Sequence, residues 1–149
     1  MRKVLKNDKG SVGRWVLIIM IVAAALFGYR YFKTTPRYTL IQFKKSVLFS
    51  DAETTRQFID LDKVGPGLPD SFTNKESDEA IKKRIISELN SPSEKPFFKV
   101  VKEWSVIMTP ITVLENQVVA YATPIEGTKV TLEKIKEDQW VITALEISE

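Results

Sequence analysis

Apolar and polar positions alternate differently in two parts of this chain. From Trp15 to Tyr29, fifteen consecutive residues carry no charge and are almost entirely apolar. Arg30, Tyr31 and Phe32 extend the run to eighteen residues. A helix needs roughly 20 apolar residues to cross a bilayer, with about 17 as the lower limit. Residues 15–32 meet that limit. Trp15 at one end, and Tyr29, Tyr31 and Phe32 at the other, fit the aromatic belts of a membrane span. Arg14, Arg30 and Lys33 can lay their stems in hydrocarbon and reach lipid phosphates with their heads. The expected membrane interface is therefore Arg14, Trp15, Tyr29, Arg30, Tyr31 and Lys33, with the bilayer itself as partner for residues 15–32.

After residue 32 the apolar positions become periodic. Thr35-Pro36 opens a helix, with Thr35 as cap and Pro36 at the first helical position. Leu40, Ile41, Phe43, Val47 and Leu48 form its apolar stripe, and it ends near Phe49. Ser50-Asp51-Ala52-Glu53 has the spacing of a capping box and starts a second short helix, running to about Ile59. Gly65-Pro66-Gly67 breaks regular structure, and residues 63–76 read as a loop. Ser77 caps a third helix whose Ile81, Ile85 and Leu89 share one face, and Asn90 and Pro92 end it.

From Phe97 onward β-branched and aromatic residues dominate, which points to strands. Asn116, Glu126-Gly127-Thr128 and Glu137-Asp138 punctuate three strand-like runs, 117–124, 129–136 and 139–148. The last is apolar on both faces, which predicts a central position. Helices first and an antiparallel meander second is the order of an α+β domain, with about three helices packed on one face of a curved sheet. The expected organisation is a basic tail, 1–14, an anchor, 15–32, and one domain, 33–149, of ordinary size.

Composition narrows the chemistry. The chain has no cysteine and no histidine, so disulfides, thiol nucleophiles and histidine-dependent triads are excluded. No metal site and no cofactor is expected. A net charge of +3, from 22 basic and 19 acidic residues, gives no support to nucleic-acid binding. Five basic residues precede the apolar segment (Arg2, Lys3, Lys6, Lys9, Arg14) and five follow it closely (Arg30, Lys33, Arg37, Lys44, Lys45), so charge bias alone does not orient it. Because domains of this size translocate largely regardless of their charge, a cytoplasmic N-terminus and an external domain are expected. Cleavage as a signal peptide is the competing reading, but the small-residue site Ala23–Ala25 lies inside the apolar run. Asp8-Lys9-Gly10-Ser11 has the flavour of a pilin leader, yet Trp15 stands where the mature chain would need an acid.

The helix Tyr38–Phe49, the step Ser50-Asp51-Ala52-Glu53 and the closing Asp138-Gln139-Trp140-Val141-Ile142 resemble the nuclear-transport-factor-like (cystatin-like) superfamily. The head of the domain also resembles a bacterial family of small membrane-anchored proteins of unknown function. The resemblance implies a helical cone closed by a bent sheet. It also supplies a scaffold precedent, in single-span assembly proteins of bacterial secretion systems. Family enzymes place an acid with a histidine or tyrosine in the cone. Here Asp51, Asp60 and Asp62 are the nearest acids, and Tyr38 and Tyr121 their potential partners, but all three acids fall at helix boundaries where capping explains them. Trp104 and Trp140 read as pocket lining or as core packing.

No catalytic residue is therefore expected, and Tyr38, Trp104, Tyr121 and Trp140 are the candidate ligand- or partner-binding residues. The expected function is non-enzymatic: a plasma-membrane protein whose external domain binds another envelope component, or itself, as a scaffold or assembly factor. The alternatives are a small-ligand module using a cone-shaped pocket and an accessory protein released after signal cleavage.

Overall fold

The computed structural model describes residues 9–65, 68, 73–90 and 96–148. The chain divides after Phe32 into two units. The first holds helix α1, Lys9–Lys33, except for its last residue. Within it Val12–Lys33, 22 residues with a mean hydropathy of 2.0, is long and apolar enough to cross a membrane; a signal sequence passes the same test. At 1.5 Å per residue this stretch is about 33 Å long, matching a hydrocarbon core of ~30 Å. Trp15, Tyr29 and Tyr31 are all exposed along it, as are Arg14 and Arg30.

The second unit, from Lys33, is α+β. Its described helices are α2 (Pro36–Leu48), α3 (Ala52–Arg56), α4 (Leu61–Val64), α5 (Asp78–Asn90) and α6 (Pro96–Lys102). A four-stranded antiparallel sheet follows in simple sequential order: β1 (Ile111–Val113), β2 (Val119–Ile125), β3 (Thr128–Lys136) and β4 (Gln139–Ile147). Two-residue turns at Glu126-Gly127 and Glu137-Asp138 join the last three strands. Gly127 takes φ +76, which glycine adopts without steric cost. Register shifts between Thr131 and Leu132, and between Lys134 and Lys136, bend the β3–β4 pair.

One face of this sheet meets the helices. Leu40, Phe43 and Val47 of α2 pack with Ile81, Ile85 and Leu89 of α5 and with Ala120, Ala122, Val130, Leu132, Ile142 and Leu145 of the sheet. The Ile81/Ile85/Leu89 stripe forms as its spacing predicts. Thr35 caps α2, accepting from the Tyr38 N–H at 3.4 Å, and Pro36 occupies the first turn.

The structure corrects five local expectations. Ser50 is not the cap of α3. It takes φ 57 in the turn that ends α2, where the Asp51 N–H donates to the Ser46 carbonyl and the Ser50 N–H to Val47. This pair of bonds is a Schellman closure, and it moves the capping duty one residue on, to Asp51. The second helix stops at Arg56, short of Ile59, because Ile59 pairs in parallel with Ile142 across the edge of β4. Asp60 then caps the new helix α4, whose last two residues, Lys63 and Val64, fall in the segment read as a loop; Pro66 and Gly67 lie outside the described residues. Residues 96–102 are helical rather than strand-like. Val101 and Trp104, three apart, both become fully buried, and burial on one side outweighs the weak β preference of valine. Finally, β4 ends the strand order instead of lying centrally, although its outer edge is partly occupied at Ile142, which bonds to both Phe58 and Asp60. Pro92, read as a terminator of α5, lies outside the described residues.

Candidate functional site

Two of the four candidate binding residues come together. Tyr38 stands in the first turn of α2, and Trp140 follows the β3–β4 turn. They line one open groove of about 440 Å³, with Phe58, Lys33, Lys136 and Asp138 also on its walls. Its geometry is held by backbone acceptors. The Trp140 Nε1–H donates to the Thr34 carbonyl at 2.8 Å, and the Thr39 hydroxyl donates to the Trp140 carbonyl at 3.0 Å. Tyr38 meets Phe58 edge to face, with ring centroids 6.4 Å apart and planes at 77°. Gln139 closes the rim by donating to the Gln57 carbonyl at 3.2 Å. The result is an aromatic floor beside mixed charge, with acids and bases both present.

The other two candidates lie elsewhere. Trp104 is 1% exposed and packs on Phe43 with ring centroids 5.6 Å apart, so it fills the space between helices and sheet. Its Nε1–H has no hydrogen-bond acceptor among the described residues. Tyr121 alternates with buried Ala120 and Ala122 and so points away from the helices; the Lys129 ammonium sits over its ring at 4.4 Å. The interior that the resemblance implies to be a cone is thus occupied by the chain's own large side chains.

The acids near the helix starts have structural partners. Asp51 accepts from the Thr54 N–H at 3.0 Å, and hydrogen bonds from Thr54, side chain first and then backbone, hold its carboxyl below the ordinary range. Asp60 accepts from the N–H groups of Asp62 and Lys63. Asp62 pairs with Lys82, and both line a second open groove of about 470 Å³ with Arg56, Ile86, Ile135 and Val141. Lys63 reaches Glu133 at 2.7 Å, and that hydrogen bond, with the attraction between the charges, raises the Lys63 ammonium above its ordinary value. No cluster of three histidine, cysteine, aspartate or glutamate residues suited to a metal occurs among the described residues.

Sequence reasoning missed two surface features. One is Arg37, whose guanidinium donates to the carbonyls of Val106 (3.2 Å), Ile107 and Thr109 (2.9 Å), about seventy positions along the chain. No local signal announces a contact of that span. The other is a set of exposed apolar side chains: Phe49 after α2, Ile107 and Met108 before β1, and Val113, Leu114 and Val118 around the β1–β2 hairpin. Each sits in a run that reads as ordinary core. Comparison with family models, with curated proteins and with solved structures finds no match to this chain.

Proposed function

We propose that the chain is a single-span plasma-membrane protein with a cytoplasmic N-terminus, whose external domain is a non-enzymatic binding module for another envelope protein, as a scaffold or assembly factor. The observation that carries this reading is the bare corner of the sheet. β1 ends the strand order, and no further strand pairs with its outer edge among the described residues. Beside it Val113, Leu114 and Val118 are exposed. Val113 lies opposite Ala120, on the core side of the sheet, yet it remains open to solvent. An open edge offers unpaired backbone groups to an added strand, and neighbouring apolar side chains supply the grip. Membrane tethering raises the local concentration of such a surface, so modest intrinsic affinity suffices. Kinship with the nuclear-transport-factor-like superfamily belongs to the same proposal, and the helix-then-meander order is what supports it.

The alternative, a small-ligand module, loses its central pocket to Phe43 and Trp104 and would have to use an open groove such as the one at Tyr38 and Trp140 or the one at Asp62 and Lys82. Site-specific photo-crosslinking in the native membrane separates the two. A photoreactive residue replacing Val118 is expected to give one discrete protein adduct, of a partner or of a second copy. The same residue at exposed Lys83 should give none, and Val113→Lys should abolish the Val118 adduct. Equal labelling from both positions, or none from Val118, removes the scaffold reading.

A further inference from the structure

We propose that the Ile107–Met108 turn is a second membrane contact, entering the headgroup region of the bilayer in which the chain is anchored. It rests on the reading of α1 as a membrane span.

Three observations converge on this turn. First, it presents apolar surface by construction. Ile107 and Met108 are 71% and 83% exposed, while Val106 and Thr109 on either side are buried. Second, the turn is held from two directions. Arg37 donates to the carbonyls of Val106, Ile107 and Thr109. On the sheet side, the Ser105 N–H donates to the Pro124 carbonyl at 2.7 Å, and the Thr109 hydroxyl to the Thr123 carbonyl at 2.8 Å. A backbone pinned at this many points cannot fold its two side chains back into the core, so they stay in water unless something else covers them. Single exposed apolar residues are common and mean little; an adjacent pair on a fixed turn is different.

The third observation identifies the cover. Arg37 is in the first turn of α2, four residues after Lys33, the last residue of the membrane-competent segment. Four residues reach at most ~14 Å even when fully extended. The turn is therefore confined to within that distance, plus one arginine side chain, of the point where the chain leaves the membrane. The headgroup zone adds roughly 6 Å on each side of the hydrocarbon. An isoleucine–methionine pair suits the boundary of that zone, where apolar side chains bury without spanning. A second attachment, besides the anchor with its aromatic belt, would fix which face of the domain looks away from the surface.

Depth-dependent fluorescence quenching tests this in the full chain reconstituted into vesicles of phosphatidylcholine and phosphatidylglycerol, whose anionic headgroups can meet the basic residues that flank the anchor. The chain has no cysteine, so single cysteines at Met108, Phe49 and Leu26 each take one environment-sensitive label. Phe49 is the control for the label's own affinity for lipid: it is 75% exposed, but it lies twelve residues beyond Arg37, about 18 Å along the helix. Leu26 reports the anchor. The expected result is quenching by nitroxide-labelled lipid at Leu26 and Met108, with Phe49 quenched by aqueous iodide instead. Ile107→Asp should reduce lipid quenching at Met108 at least twofold. Iodide quenching at Met108 with lipid quenching at Leu26 overturns the proposal while leaving the anchor intact. Protection of Met108 from both quenchers also overturns it, in favour of a second copy of the chain. Iodide quenching at Leu26 removes the anchor and the proposal together.

Discussion

At the scale of residues, the same aromatic type serves opposite purposes in this domain. Trp104 and Trp140 are both buried, but only Trp140 lies beside a groove and finds an acceptor for its indole N–H. Trp104 is surrounded by apolar side chains, so its contribution is packing. Truncating a buried aromatic removes its transfer free energy and leaves a cavity, typically at a cost of about 3–5 kcal/mol. Trp104→Ala is expected to fall in that range by urea unfolding in detergent. Tyr121→Ala, on the outer face beneath Lys129, should stay within about 1 kcal/mol. Equal losses at the two positions would contradict the core assignment of Trp104. The aromatic identity of these positions was legible from the sequence. Which of them would share a groove was not, because Tyr38 and Trp140 are far apart in sequence, and the bonds that hold Trp140 beside the start of α2 go to Thr34 and Thr39.

At the scale of elements, termini are governed by short-range polar chemistry with a pH signature. Thr54 holds the Asp51 carboxyl below its ordinary value, about 3.9. The folded state thus favours the ionised form. Its contribution is complete above the unfolded-state value and is lost as pH falls through the lower folded-state value. Glu133 acts oppositely on Lys63, whose ammonium is raised above an ordinary value of about 10.4. That contribution is complete below the unfolded-state value and disappears as pH rises through the higher folded-state one. Urea midpoints across pH should therefore fall at both extremes. Asp51→Asn, which keeps a capping acceptor, should flatten the acid limb, and Glu133→Gln the alkaline limb. An acid limb unchanged in Asp51→Asn would mean that the Thr54 bonds contribute nothing. The caps at Thr35 and Ser77 and the stripe of α5 were readable because helix starts and helical periods are local. The displacement of the α3 cap from Ser50 to Asp51 was not, because the ending of α2 and the start of α3 compete for the same residues.

At the scale of the whole molecule, the proposed arrangement makes a direct demand on topology. With single cysteines replacing Ser11 and exposed Ser148, a membrane-impermeant thiol reagent applied to intact cells should label Ser148→Cys alone, in the membrane fraction. Labelling of Ser11→Cys alone would invert the orientation, and a shorter soluble product would make the apolar helix a cleaved signal. Taken by itself, the sequence determined the membrane-competent helix, the order of helices before strands, the places of the turns after β2 and β3 and the buried face of α5. These follow from composition, period and turn chemistry within a few residues of each other. Tertiary structure alone decided that residues 96–102 coil rather than extend, that Trp104 fills the interior, that Ile59 pairs with β4, and that Arg37 pins a turn seventy positions away. Each of those outcomes depends on burial or on a backbone acceptor supplied by a distant segment, and a partner of that kind exists only once the chain has folded.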